Sequence, residues 1–185
     1  MKALETGRIL LRQWKESDLW DFYEYAKSPN VGPRAGWKPH DSLVESQVIL
    51  DSFIESQEVW AVVYKENWKV IGSIGLHKDT KRDGPNVKMI GYVLSEKYWG
   101  LGLIPEAVKE VIRYAFEELK LDLITVYHYP FNYQSRRVIE KCGFKYEGIL
   151  RMASHIYNGQ VYDDVCYSIM KEEWIHEIRE LEGIY

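Results

Sequence analysis

The residues that most clearly suggest chemistry are two glycines, Gly100 and Gly102, at the point where an apolar strand pattern gives way to a helix pattern. Glycine reaches backbone conformations closed to other residues and lets a ligand come close to the chain. The helix that follows adds unpaired N–H groups and the positive end of its dipole, and Pro105 suits its first turn. This stretch predicts a seat for a phosphate or pyrophosphate group, although an ordinary strand-to-helix connection would use the same residues.

Two familiar phosphate-binding loops do not fit this turn. No Gly-Lys-Ser/Thr follows the glycines, as a Walker loop requires. A dinucleotide-binding fingerprint would place a third glycine where Pro105 stands. A phosphate held here must therefore be bound in another way.

Four further side chains are candidates for a site, and each also has a plain structural interpretation. Asn132 and Ser135 open a predicted helix, where Asn132 serves as an N-cap and Ser135 can satisfy the local backbone. His77 ends a predicted strand, and a lone histidine is more often structural. Trp37 lies in a loop of prolines and glycines from Pro29 to His40, where it either walls a pocket or folds back onto the core. The sequence leaves these alternatives open.

The elements that must position these residues alternate in type along the chain. Strands are predicted over 8–13, 59–64, 69–76, 88–95, 121–128, 146–156 and 161–170, and helices over 17–26, 43–54, 104–119, 132–142 and 171–185. Ser17 caps the first helix, Asp41 or Ser42 caps the second, and Asn158-Gly159 joins the last two strands in a hairpin. This order predicts a single domain over residues 1–185 of the α/β class, with a mixed, mostly antiparallel central sheet and helices on both faces.

The composition of the chain restricts the partners it can have. Its 185 residues are enough for one domain, and its net charge of −4 gives no electrostatic reason to expect a nucleic acid or a membrane as partner. Cys142 and Cys166 lack the spacing of metal ligands, so no metal is expected and a reduced, cytoplasmic compartment is the simplest interpretation. The first residues lack the apolar run of a signal peptide, and no apolar run could cross a bilayer.

Two motifs, together with the order of the elements, resemble the GNAT superfamily of acetyl-CoA-dependent N-acetyltransferases. The residues that match its two signatures are Lys97-Tyr98-Trp99-Gly100-Leu101-Gly102, for Q/R-x-x-G-x-G/A, and Asn132-x-x-Ser135 followed by Lys141-x-Gly143-Phe144. Details that resemble the RimJ/RimL-type branch are Arg8-Ile9-x-Leu11-Arg12, Gly91-Tyr92 before Tyr98-Trp99-Gly100, Glu106-Ala107, and the closing Glu173-Trp174. The resemblance covers nearly the whole chain.

The resemblance implies acetyl-CoA as cosubstrate, bound where the central strand splays from the strand over 121–128. Pantetheine would pair with the backbone of Val93 to Ser95, where an N–H near Val93 or Leu94 would also bind the oxyanion. The pyrophosphate would lie on the N–H groups from Gly100 to Ile104. The implied cofactor-binding residues are Val93, Leu94, Ser95, Lys97, Gly100, Leu101, Gly102, Leu103, Ile104, Asn132 and Ser135.

Three positions depart from the family pattern and affect the expected chemistry. Lys97 replaces Gln or Arg and lacks a planar fork of donors, and Met89 replaces an acidic residue of many relatives. Ile139 stands where many relatives carry the tyrosine that protonates the leaving thiolate. The resemblance therefore makes Ser135 the candidate catalytic acid, as in some RimJ/RimL-type enzymes. The base is left open between water and His77, which ends a predicted strand.

If the enzyme has no dedicated base, the free energy needed to deprotonate the acceptor amine must be small. At pH 7 about a tenth of an α-amine is neutral, at a cost of about 1.4 kcal/mol, whereas a lysine amine costs about 4.6 kcal/mol. The leading hypothesis is therefore acetylation of a protein N-terminal α-amine, including that of a ribosomal protein, with Trp37 and His77 on the substrate side. The alternatives are a small-molecule amine acceptor and a non-catalytic CoA-binding module. A homodimer is compatible with the resemblance.

Overall fold

An eight-stranded sheet forms the centre of the computed structural model, which describes residues 1–182 apart from the side chains at positions 177 and 180–182. Its strands are β1 (Leu4–Glu5), β2 (Ile9–Arg12), β3 (Val59–Tyr64), β4 (Lys69–Lys78), β5 (Val87–Leu94), β6 (Leu123–His128), β7 (Lys145–His155) and β8 (Val161–Met170). They lie in the order β1-β2-β3-β4-β5-β6-β8-β7, and every neighbouring pair is antiparallel except β5 and β6. The mixed, mostly antiparallel sheet expected from the sequence is confirmed.

Helices cover both faces of this sheet, as predicted. They are α1 (Leu19–Ala26), α2 (Gly32–Ala35), α3 (Leu43–Ser56), α4 (Leu103–Glu117), α5 (Tyr133–Lys141) and α6 (Lys171–Glu182). The end of the predicted tail helix, up to Tyr185, lies outside the described residues. None of the helices in the described part combines the length and the apolar character that crossing a bilayer needs.

Two apolar clusters hold the layers together, one on each face of the sheet. On the first face, α4 buries a stripe of residues at three- and four-residue steps, and Ile139 of α5 joins them. On the second face, α1 and α3 pack on the first half of the sheet through Phe22, Tyr25 and Leu50. Over β6 and β8 the second face is contacted by the loop between β4 and β5, where Lys81 reaches Asp164 and Arg82 reaches Tyr127.

The sheet splits between β5 and β6. The two strands are paired only at their beginnings, from Val87 opposite Leu123 to Met89 opposite Thr125. From Ile90 to Leu94, β5 has no strand partner on this side. The start of α5 lies at the open end, because the chain leaves β6 at His128 and α5 begins at Tyr133. This is the splayed arrangement that the family resemblance implies.

Some element ends differ from the sequence-based expectation for local reasons. Ser17 does not cap the first helix, because a short 3-10 turn precedes α1 and the Asp18 carboxylate accepts the Lys15 N–H at 2.9 Å. Strand β1 has only two residues, too few for a periodic pattern. The predicted caps Ser42 and Asn132 are confirmed, since Ser42 Oγ accepts from the N–H of residue 45 at 3.2 Å and Asn132 Oδ1 from that of residue 135 at 3.1 Å.

Candidate active site

The glycine turn runs from the end of β5, through a short 3-10 turn, into α4. Gly100 and Gly102 have φ angles of +81° and +74°, in the left-handed region that residues with a Cβ rarely adopt. Nothing lies within 4 Å of the position that a Cβ would take at Gly100. The turn is therefore open to solvent beside the N-terminus of a 15-residue helix. These features fit a phosphate group.

Arg8 braces this turn through contacts that sequence analysis did not predict. Its Nη1 donates to the Leu101 carbonyl at 2.9 Å, and its Nη2 lies 3.8 Å from the Cβ position of Gly102. Glu106, in the first turn of α4, holds the same guanidinium at 2.7 Å. Burial alone would raise the pKa of the Glu106 carboxyl, but hydrogen bonds from Thr6 and Arg8 outweigh burial and lower that pKa. The Arg8 guanidinium is therefore held beside the proposed phosphate seat in an ion pair with Glu106.

Lys97, the first residue of the glycine signature, is engaged with helix α1. Its ammonium forms an ion pair and hydrogen bond with Glu24, and its side chain is 67% exposed. Hydrogen bonds from Lys97 and Lys69 lower the pKa of the Glu24 carboxyl, with burial acting in the opposite direction. A role of Lys97 in cofactor binding remains a prediction, and it requires the ammonium to leave Glu24.

The backbone from Val93 to Ser95 lies along the open side of the split, where pantetheine is predicted to pair. The Trp99 indole donates its N–H to the Leu94 carbonyl at 2.9 Å. The Ser95 N–H donates to the Ile71 carbonyl at 2.7 Å. Two polar groups of this segment therefore already have partners in the protein.

Asn132 and Ser135 are brought to the mouth of the split by the start of α5. Asn132 is the N-cap, and its Nδ2 donates in addition to the Arg34 carbonyl at 3.0 Å. It therefore links α5 to the loop between α1 and α3. Ser135 presents its hydroxyl towards the sheet and is partly buried.

Tyr92 is the residue of this site that sequence reasoning missed. Its hydroxyl lies 3.0 Å from Ser135 Oγ and 3.3 Å from the Ser135 carbonyl. Burial raises the pKa of the Tyr92 phenol above its ordinary value, which keeps the hydroxyl protonated at neutral pH. A sequence signal existed: alternation along β5 puts Tyr92 on the same face as the buried Ile90 and Leu94. That face meets α5 across the split.

Ile139 and Met89 occupy the positions that depart from the family pattern. Ile139 has no exposed surface and packs in the core, so a leaving-group acid on this turn of α5 has no counterpart here. Met89 lies opposite both His77 on β4 and Thr125 on β6, at the last paired position before the split opens.

The loop from Pro29 to His40 contains the short helix α2 and lies against the start of α5. Arg34 anchors it there, because its Nη1 donates to Gln134 Oε1 at 2.7 Å and its guanidinium lies 5.4 Å from the Trp99 ring centre. Trp37 is partly buried, packs on the apolar cluster of the second face, and has its ring 5.2 Å from that of His40. Trp37 packs on the core, and it belongs to the loop that borders the split. The core interpretation and the pocket-wall interpretation of Trp37 are therefore both compatible with its position.

His77 lies near the end of β4 on the second face of the sheet. Its ring packs against Gly91 and lies so close to Gly75 that a Cβ there would come within 2.7 Å of Nε2. Burial lowers the pKa of this imidazole, with the neighbouring Glu58 acting in the opposite direction. The neutral form therefore prevails at pH 7, and a neutral imidazole can accept a proton.

Comparisons with known proteins agree with this architecture. Residues 8–145 match the family described as an acetyltransferase (GNAT) domain. The chain is 28% identical over 173 residues to the uncharacterized N-acetyltransferase YoaA of Bacillus subtilis, a match that spans 91% of this chain and 96% of the relative.

Two solved structures share the fold over nearly their whole length. A ribosomal-protein-S5-alanine acetyltransferase from Vibrio fischeri superposes with a TM-score of 0.75 at 25% identity, covering 94% of this chain and 99% of that one. The microcin C7 self-immunity acetyltransferase MccE, solved in complex with acetyl-CoA and AMP, superposes with a TM-score of 0.77 at 20% identity, covering 89% of this chain and 93% of that one. The family match, together with the split sheet and the glycine turn, shows that this chain belongs to the GNAT acetyltransferases and is an acetyl-CoA-dependent N-acetyltransferase.

Proposed function

We propose that this enzyme acetylates the α-amine of a protein N-terminus, in the manner of the RimJ/RimL-type branch and with a ribosomal protein as one candidate acceptor. The observation that carries the proposal is the hydroxyl pair of Ser135 and Tyr92 at the split. In the part of the chain that the structure describes, no carboxylate or imidazole hydrogen-bonds this pair. The pair can supply a proton to a leaving group but cannot remove one efficiently from a basic amine.

The proposed chemistry divides between the two faces of the sheet. Bound acetyl-CoA supplies the acetyl group as a thioester, whose carbonyl carbon forms a bond to the acceptor nitrogen while its bond to sulfur breaks. Ser135 gives its hydroxyl proton to the departing sulfur as Tyr92 passes its own proton to Ser135, the type of step that contributes roughly 10²–10⁴-fold. Tyr92 regains a proton from water when the CoA thiol leaves. The acceptor nitrogen loses its proton to water or to His77, which lies on the second face.

The expected acceptor follows from the cost of that deprotonation. An α-amine is about one-tenth neutral at pH 7, whereas a lysine amine is more than two orders of magnitude less available. The likeness to a ribosomal-protein-S5-alanine acetyltransferase supports the same choice of acceptor. A small-molecule amine is the second candidate acceptor, since its deprotonation is equally favourable when its pKa is low.

The remaining site assignments are part of this proposal. The glycine turn from Gly100 to Ile104 holds the pyrophosphate, with Arg8 beside it in its ion pair with Glu106. The edge from Val93 to Ser95 holds pantetheine. Trp37 and His77 border the acceptor. The proposed compartment is the reduced cytoplasm that the sequence analysis favours.

An acceptor panel tests the proposal. The purified protein is incubated with acetyl-CoA and either short peptides with free N-termini, the same peptides with blocked N-termini, or polyamines and amino acids. Release of the CoA thiol is followed with a chromogenic disulfide. We expect turnover with free N-terminal peptides to exceed turnover with small amines by about 10-fold or more. Faster turnover of a small amine would identify the second candidate function, and CoA binding without any turnover would identify a binding module.

A further inference from the structure

Lys81 lies in a site with the chemistry of an ammonium receptor. Its Nζ is 2.5 Å from Asp164 Oδ2 and 4.2 Å from the centre of the Tyr127 ring. Ser154 Oγ donates to the same carboxylate oxygen at 2.9 Å. A carboxylate beside an aromatic face is the combination that recognises a primary ammonium group.

The two partners of this ion pair differ in how firmly they are held. Asp164 is part of β8 and is only 2% exposed, so its charge requires a cation close by. Lys81 belongs to the loop between β4 and β5, and its side chain is 24% exposed. The carboxylate is therefore fixed in the sheet, whereas the ammonium reaches it from a loop with access to solvent.

The loop does not depend on this ion pair for its anchorage. Asp79, whose side chain is completely buried, accepts hydrogen bonds from Tyr127 at 2.7 Å and Thr125 at 2.8 Å. It also accepts the Lys81 backbone N–H at 2.8 Å. Arg82 adds an ion pair with Glu147 of β7. The Lys81 ammonium is thus not needed to hold the loop on the sheet.

The site lies on the face from which an acceptor would reach the split. His128 is paired with Val165, so the register puts Asp164 next to Tyr129 at the end of β6. The other face of the sheet is occupied by α4 and α5. The loop between α1 and α3 closes on the same place, since the Tyr129 hydroxyl fills the space that a Cβ on Gly36 would need.

We propose that Asp164, Tyr127 and Ser154 form the seat for a positively charged primary ammonium group of the acceptor, and that Lys81 occupies this seat until the acceptor displaces it. The inference rests on the proposed function, because it requires an amine acceptor that enters from the second face. It adds a substrate class, namely acceptors whose ammonium group binds in this seat. It also makes Lys81 a competitor that belongs to the enzyme itself. A tethered group competes at an effective concentration in the millimolar range or above, so Lys81 raises the acceptor concentration needed for half-saturation.

The test replaces Lys81 by methionine, which keeps the apolar stem and removes the ammonium. Thermal stability is measured for wild type, Lys81→Met and the double variant Lys81→Met/Asp164→Asn, with ethylammonium chloride or with sodium chloride at equal ionic strength. We expect ethylammonium to stabilise Lys81→Met at concentrations at least about 10-fold lower than wild type, and to have no specific effect on the double variant. This measurement needs no turnover, so it stands even if the acceptor panel fails.

Turnover with the best acceptor of the panel supplies the second measurement. Lys81→Met should lower the acceptor KM several-fold at an unchanged acetyl-CoA KM, and Asp164→Asn should raise the acceptor KM. Asp163→Asn, which changes the neighbouring carboxylate bonded to the Met152 N–H, serves as the matched control and should leave KM unchanged. A Lys81→Met variant that ethylammonium does not stabilise, or whose acceptor KM is unchanged or raised, would overturn the inference.

Discussion

Replacing Ser135 by alanine is the most informative perturbation of the proposed chemistry. The serine hydroxyl lies 3.0 Å from the Tyr92 hydroxyl at the mouth of the split. A hydrogen bond to a group that carries charge contributes about 1.5–3 kcal/mol. If Ser135 stabilises the leaving thiolate in this way, kcat should fall about 10- to 150-fold in Ser135→Ala. The Kd of acetyl-CoA should change little, because the contact forms as charge develops on sulfur.

Tyr92→Phe tests whether the two hydroxyls act as one unit. A neutral hydrogen bond contributes about 1 kcal/mol, so Tyr92→Phe should lower kcat about 5-fold. In the double variant, kcat should be no lower than in Ser135→Ala, because the relay is already broken. Stopped-flow or steady-state detection of the CoA thiol measures these rates, and Tyr133→Phe, on an exposed tyrosine of α5, is the control. Wild-type kcat in Ser135→Ala, or independent effects that multiply in the double variant, would refute the relay.

The other predictions concern the cofactor seat, the acceptor side and the pH dependence of folding. Gly102→Glu should abolish acetyl-CoA binding in calorimetry. The control Gly159→Glu, at a similar positive φ of +83° on the β7–β8 turn, should only lower stability. Unchanged CoA affinity in Gly102→Glu would contradict the placement of the pyrophosphate on this turn. Trp37→Ala should raise the acceptor KM several-fold at constant acetyl-CoA Kd. The control Trp20→Ala, which changes a side chain that is 68% exposed, should leave the acceptor KM unchanged. A fall in Tm without a change in KM would mean that Trp37 acts only as a core residue. Burial lowers the pKa of His128, so the unfolded state binds more protons below about pH 6.5 and the free energy of unfolding falls there. His128→Gln should reduce this fall in denaturant titrations at about pH 7.5 and 5.5, and an unchanged fall would contradict the buried, neutral state.

The positions with strong local signals were predictable from the sequence. The apolar stripe of α4 specified which face is buried, and Asn132 specified where α5 begins, because periodicity and capping act within one or two turns. The contacts made by Tyr92 could not be read in this way. Whether its hydroxyl meets Ser135 depends on how far β5 and β6 splay, which no local pattern encodes.

Long-range contacts of charged side chains could not be predicted from the sequence either. Arg8 meets the glycine turn across 93 positions of the chain, and Lys81 meets Asp164 across 83 positions. Such pairs require the sheet order, and in particular the insertion of β8 between β6 and β7. The family signatures identified the cofactor turn, but the groups that surround it became apparent only from the fold.

The acetylation site on a peptide with two competing amines tests the central proposal most directly. The peptide carries one free N-terminal α-amine and one internal lysine, and the product formed at pH 7 is located by tandem mass spectrometry. Because deprotonating the lysine amine costs about 3 kcal/mol more, we predict acetylation of the α-amine in excess of about 100-fold. Preferential acetylation of the lysine, or no acetylation of a peptide while a small amine turns over, would contradict the proposed function.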